Sequence, residues 1–217
     1  MVQLHIYLFR HGQSTYNKHQ WFTGWIDSKM TPEGYKNARK VALKLKNKNI
    51  KLAYHSHLSR SKDTLKEVLK FHPECKTIIE DDRIIERGYG VLQKHSHGQF
   101  MKELEATVLK RLKNKKVSLA QKKKLAQQEA MKVYNLYHRS YSIAPPQGES
   151  IRDVEKRVNS FIKDLLKKMK TEKINVAISA HGNSMRPFRK YFEQLTTQEM
   201  MQLENPWDDY FEYVVTT

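Results

Sequence analysis

Leu4-His5-Ile6-Tyr7-Leu8-Phe9-Arg10-His11-Gly12 is the stretch from which the fold can be read. Its first part, Leu4 to Phe9, is short, aliphatic and aromatic, and it is stopped by Arg10-His11-Gly12. That is the pattern of a buried strand ending in a tight turn. A second run, Ile174-Asn175-Val176-Ala177-Ile178-Ser179, ends in Ala180-His181-Gly182-Asn183. Two strands far apart in the chain therefore finish in the same dipeptide. In open parallel sheets ligands bind just beyond the carboxyl ends of the strands, so both histidines are expected at such a place.

Between these runs lie amphipathic helices. Thr31-Pro32 starts one, with Tyr35, Ala38, Val41, Ala42 and Leu45 as its apolar face. Lys51 to Ser56 is expected as a strand, and Ser59 opens a helix with Leu65, Val68 and Leu69 inward. Met101, Leu104, Val108 and Leu112 form a helical stripe, followed by a second, lysine-rich helix up to about Tyr134. Pro145-Pro146-Gln147-Gly148 breaks the chain, and Ser150 with Asp153 forms a capping box. The helix it starts has Ile151, Val154, Val158, Phe161, Ile162, Leu165 and Met169 on one face. Tyr210 to Val215 reads as a last strand. Strands alternating with helices predict an α/β three-layer sandwich around a mostly parallel sheet. The expected organisation is a single domain over residues 1–217 with a helical, lysine-rich insertion at about 100–134.

Composition narrows the class. The chain has 217 residues, 39% hydrophobic and 29% charged, which suits a folded domain rather than a disordered one. Forty Lys and Arg against 23 Asp and Glu give a net charge of +17, a field that draws in anions without specifying which. Much of the excess lies in Lys110–Lys124, the pattern of a solvated face. One cysteine, Cys75, cannot form an internal disulfide. The Leu4–Phe9 run is too short for a signal-peptide core or a membrane span, so a cytoplasmic location is expected.

Histidine is a competent nucleophile at neutral pH when one ring nitrogen is unprotonated and the other is held by a carbonyl or carboxylate. The glycine after each histidine is expected to let a phosphate approach the backbone. Arg10 offers a planar fork of donors to phosphate oxygens. One His-Gly alone reads as a buried histidine with a satisfied hydrogen bond; the pair, with Arg10 beside the first, reads as a phosphate site.

Leu8-Phe9-Arg10-His11-Gly12-Gln13-Ser14-Thr15-Tyr16-Asn17 and Phe22-Thr23-Gly24-Trp25 resemble the cofactor-dependent phosphoglycerate mutase branch of the histidine phosphatase superfamily. Leu58-Ser59-Arg60, Glu86-Arg87 with Tyr89-Gly90, Arg139-Ser140 before Pro145-Pro146, Gly148-Glu149-Ser150 and His181-Gly182-Asn183-Ser184-Met185-Arg186 follow in order. The resemblance implies that His11 becomes phosphorylated, that Arg10, Arg60, Asn17 and His181 hold the phosphate, and that Glu86 is the general acid and base. It implies substrate contacts from Thr23, Gly24, Tyr89, Arg139, Gly182 and Asn183. It further implies 2,3-bisphosphoglycerate as primer, no metal, and a small phosphorylated glycolytic substrate. Neither a membrane nor a nucleic acid is an expected partner, and a homodimer is left open.

The sequence departs from that pattern on one side of the site. Gly88 stands where the family has histidine; a family lysine falls at His97, with Lys94 and Lys102 as nearby replacements; a pair of family arginines reads His138-Arg139. These changes fall where the substrate's distal anion would be held. Three functions therefore remain open: interconversion of 3- and 2-phosphoglycerate, phosphomonoester hydrolysis at the same histidine, and a basic non-catalytic binding protein on the same fold. His55-Ser56-His57 and His95-Ser96-His97 lack a carboxylate or cysteine set at metal spacing and are expected as surface or lid histidines.

Overall fold

The computed structural model describes residues 2–216. Five strands, β1 (Gln3–Arg10), β2 (Leu52–His55), β3 (Thr77–Glu80), β4 (Val176–Ala180) and β5 (Tyr210–Thr216), form one sheet in the order β3-β2-β4-β1-β5. The pairings β1 with β4, β4 with β2 and β2 with β3 are parallel, and β5 runs antiparallel to β1. β2 and β4 are buried at every position, as their unbroken apolar runs require of strands covered on both faces.

The α-helices among the described residues are α1 (Thr15–Lys18), α2 (Pro32–Leu45), α3 (Ser59–Leu69), α4 (His97–Arg111), α5 (Leu119–Arg139), α6 (Ile151–Glu172), α7 (Gly182–Glu193) and α8 (Thr197–Gln202). Side chains alternate along β1, so Tyr7 and Phe9 meet Val41, Leu45, Leu65 and Val68 of α2 and α3 on one face. Ile6 and Leu8 meet Val158, Phe161, Ile162 and Phe188 of α6 and α7 on the other. The result is the three-layer α/β architecture that the strand–helix alternation predicts. The caps also match: Thr31 accepts from the Gly34 amide, and Ser150 exchanges hydrogen bonds with Asp153, a contact worth about 1 kcal/mol.

α4 and α5 form an antiparallel hairpin whose seam contains Val108, Leu112 and Ala126. The expected boundaries need correction here. α4 starts earlier than its apolar stripe, capped by Ser96, so His97 lies in its first turn. α5 continues past Tyr134 to Arg139, which puts His138 and Arg139 on the last helical turn rather than in a loop. No helix among the described residues is long and apolar enough to cross a membrane.

The register sets the site. Phe9 pairs with Ser179 and Arg10 with Ala180, and the His11 amide donates to the Ala180 carbonyl at 3.0 Å. Both strands thus end level, and their histidines leave the sheet side by side.

Candidate active site

The His11 and His181 rings lie 4.8 Å apart, centre to centre, and both are fully buried. His11 Nδ1 lies 2.7 Å from the Gly12 carbonyl, which can only accept, so the proton sits on Nδ1. Nε2 then carries the free lone pair, and Arg60 Nε donates toward it at 3.3 Å. Burial, followed by the Arg60 and Arg10 charges, holds the His11 pKa well below its ordinary value, so the imidazole is neutral at pH 7. Burial and Arg60 act on His181 in the same direction.

Arg60 sits in the first turn of α3 and is buried. Its Nη1 and Nη2 donate to the Ile26 and Gly24 carbonyls at 2.9 and 2.8 Å, which fixes the fork against His11. Burial lowers its pKa to about 10, still a cation at neutral pH. Thr64, one turn on, accepts from the Gly12 amide at 3.0 Å and ties α3 to the first His-Gly turn. Arg10 donates from Nη1 to the Asn205 carbonyl at 3.1 Å and lies over the Trp207 ring, while its buried Nε has no partner among the described residues. Asn17 Oδ1 accepts from the Ser14 amide and hydroxyl, which leaves its two N–H donors for a ligand. Glu86 Oε1 accepts from the Arg87 and Asn183 amides at 2.8 and 3.1 Å. Its backbone is held by Arg157, which donates to the Glu86 carbonyl and grips Glu149 with two hydrogen bonds.

These side chains surround a cavity of about 450 Å³. Every site residue expected from the sequence lines it except His181, whose ring lies 4.8 Å from that of His11. His97, Tyr134, His138, Arg139 and Arg186 line it as well. His97 stacks on Phe22 at 4.2 Å and accepts from or donates to the Tyr134 hydroxyl at 2.9 Å. Burial lowers the His97 pKa and, with His97 and Arg139 adding to it, pushes His138 down to about 3. Both histidines are therefore uncharged at neutral pH. Neither Lys94 nor Lys102 lines the cavity in their place.

Sequence reasoning missed Arg186 as a wall residue, although it lies four residues after Gly182 on the same helix, one turn along. It donates to the Met201 carbonyl at 2.9 Å, and burial and Arg139 lower its pKa. Asn205 and Trp207 were missed too; they come from an irregular segment with no periodic signal. The glycine expectation is also revised. A Cβ on Gly12 would meet the Gly34 carbonyl at 2.1 Å, so that glycine also serves the close approach of α2. A Cβ on Gly182 would press on the Arg10 guanidinium at 3.3 Å. At Gly88 the space beside the backbone is filled by Trp25, whose Nε1 donates to the Glu86 carbonyl at 2.8 Å. His55 is buried, with Nδ1 on the Ser56 carbonyl, and is no surface histidine; His57 is exposed and pairs with Asp82.

His11, Glu86 and His181 offer ligand atoms all within 4.8 Å of one another, enough to hold a cation. The guanidiniums of Arg10 and Arg60 share that space, and their field favours an anion instead. An unprotonated imidazole nitrogen, buried cationic donors and an adjacent carboxylate can together accept and release a phosphoryl group.

Comparison with known proteins agrees. The sequence profile of the Histidine phosphatase superfamily (branch 1) matches residues 6–121 and 102–210. A Chlamydia muridarum protein named 2,3-bisphosphoglycerate-dependent phosphoglycerate mutase is 31% identical over 204 residues, covering 92% of this chain and 88% of that protein. One of the same name from Pseudoalteromonas atlantica is 29% identical over 202 residues, covering 91% and 87%. Among solved structures, mycobacterial glucosyl-3-phosphoglycerate phosphatase superposes with a TM-score of 0.71 at 20% identity, covering 97% of this chain and 89% of that one, a likeness of fold. The profile spans both His-Gly strand ends and the named relatives align over most of the length, so the chain belongs to the histidine phosphatase superfamily.

Proposed function

We propose that this protein is a 2,3-bisphosphoglycerate-dependent phosphoglycerate mutase that carries phosphate on His11. The observation behind this reading is the number of cations that line the cavity beyond Arg10 and Arg60. Arg139 and Arg186 line it together with His11, Arg10 and Arg60, and neither forms an ion pair with a carboxylate among the described residues. A cavity with a nucleophile and four guanidiniums in its wall suits a substrate that carries more than one anionic group.

In this reading His11 Nε2 attacks the phosphorus of bisphosphoglycerate. The Nε2–P bond forms as the ester P–O bond breaks, and the departing oxygen takes a proton from Glu86. Arg10, Arg60, Asn17 and His181 receive the negative charge spread over the phosphoryl oxygens. A hydroxyl of the bound monophosphoglycerate then gives its proton to Glu86 as its oxygen takes the phosphoryl group. Incubation with bisphosphoglycerate should produce an acid-labile, base-stable phosphoprotein in wild type and none in His11→Ala. A coupled assay should show isomerisation of 3-phosphoglycerate that depends on the primer; no isomerisation with primer present would refute the mutase assignment.

A phosphomonoester phosphatase is the second reading, favoured by the uncharged state of His97 and His138. Fewer cations at the outer wall hold a monophosphoglycerate less firmly and admit water to the phosphohistidine. Free phosphate released faster than product isomerises, on several substrates, would select this reading.

A further inference from the structure

His181 has one ring nitrogen engaged and one unengaged. Its Nε2 lies 2.8 Å from the Ser56 hydroxyl oxygen, and its buried Nδ1 has no partner among the described residues. Ser56 is fully buried at the end of β2. Its backbone is pinned on two sides: His55 Nδ1 donates to its carbonyl at 2.7 Å, and its amide donates to Ser61 Oγ at 3.3 Å. Ser61 and Ser179 in turn exchange hydroxyl-to-carbonyl hydrogen bonds of 2.6 and 2.8 Å, which lock α3 to β4 just before His181.

The direction of the Ser56–His181 hydrogen bond decides where the imidazole proton resides. The Ser56 hydroxyl has no other acceptor among the described residues, and a buried hydroxyl left undonated carries a desolvation cost. If His181 donated instead, that hydroxyl proton would be stranded. Ser56 therefore donates to Nε2, and the neutral ring must hold its proton on Nδ1.

From this geometry we propose that Ser56 is a positioning residue that fixes His181 as the Nδ1–H tautomer, making a neutral imidazole the hydrogen-bond donor that meets the phosphoryl group on His11. The claim rests on the phosphohistidine reading given above. It assigns complementary roles to two rings that carry the proton on the same atom. His11 uses its N–H on the Gly12 carbonyl and presents a lone pair. His181 has its lone pair occupied by Ser56 and presents an N–H. Arg60 donates toward His11 Nε2 at 3.3 Å, and a Glu86 carboxylate oxygen lies within 4.8 Å of a nitrogen of each ring. The donor carries no formal charge, so the site gains a hydrogen bond without adding a further cation beside Arg10 and Arg60.

The test begins with nitrogen NMR of 15N-histidine-labelled wild type at neutral pH, with His181 assigned by its absence in His181→Gln. Expected is a proton on Nδ1; a proton on Nε2 overturns the proposal. Ser56→Ala should let the Nε2–H form appear and slow phosphorylation of His11 by bisphosphoglycerate about 10- to 100-fold, with KM moving less than about threefold. Ser56→Thr keeps the hydroxyl and should recover the rate. An unchanged His181 tautomer and an unchanged rate in Ser56→Ala also overturn it, and if that variant does not fold, the wild-type spectrum decides alone. A wild type with the Nδ1 proton in place but no phosphoprotein would defeat the functional reading and leave the tautomer assignment standing.

Discussion

Arg87 Nη1 donates to the His138 carbonyl at 3.2 Å, so a guanidinium next to Glu86 in sequence holds the last turn of α5 against the cavity. Nη2 adds the Tyr137 and Ile143 carbonyls and Nε the Glu149 carbonyl, all from a side chain that is wholly buried. Charged hydrogen bonds to carbonyls at a helix C-terminus are favourable twice over, through the bond and through the helix dipole. Arg87→Met should strand those carbonyls and destabilise the fold by about 3 kcal/mol, read as a lower urea midpoint. The same variant should raise KM, because Arg139 loses its anchor.

Removing Arg60 tests the electrostatic part of the site. Arg60→Ala should lower kcat about 100- to 1,000-fold while phosphoprotein still accumulates slowly. Single-turnover phosphorylation of His11 separates this from a binding defect. A loss confined to KM would show that Arg60 acts only in ground-state binding.

Stability should fall on mild acidification. His11, His138 and His181 have folded pKa values below their ordinary 6.5, His138 at about 3. The unfolded chain therefore binds more protons below pH 6.5, and the stability these groups contribute is full above that pH and is lost as pH falls through it toward their folded values. Each contributes a slope of up to about 1.4 kcal/mol per pH unit. Urea unfolding at pH 7.0, 6.0 and 5.0, above the main carboxylate range, should show the decline, and His138→Gln should make it shallower.

Restoring charge to the outer wall should change what happens to the phosphohistidine. His97→Lys with His138→Arg should lower KM for monophosphoglycerate about tenfold, equivalent to about 1.4 kcal/mol of binding. The ratio of isomerisation to phosphate release should rise in the same assay. An unaltered ratio would show that those two positions do not govern access of water.

The two His-Gly strand ends were legible because β1 and β4 are continuous apolar runs that end abruptly at polar turns. Thr31-Pro32 and Ser150 were legible because caps are local chemistry. β3 was not: Thr77–Glu80 is an edge strand with mostly exposed residues, and neither alternation nor a long apolar run marks it. The end of α5 was missed although Tyr137 extends its packed face one turn past Tyr134, because His138 and Arg139 beyond it carry no apolar signal. Gly12 shows a different limit. Its lack of a side chain answers to the Gly34 carbonyl, a contact between segments that no local pattern encodes. Arg186 and Trp207 likewise gain meaning only from the packing that turns them toward Arg139 and Arg10.

β1 sits between β4 and β5, strands that follow it by more than 160 residues. On the ribosome, Leu4 to Phe9 therefore emerges long before either neighbour exists, and the chain must carry an unpaired, strongly apolar segment until β4 and β5 have been made. Such late closure makes folding slow and leaves the nascent protein dependent on shielding of that segment. It also keeps the nucleophile inert until β4 has emerged, since the pocket that would activate it has not yet been translated.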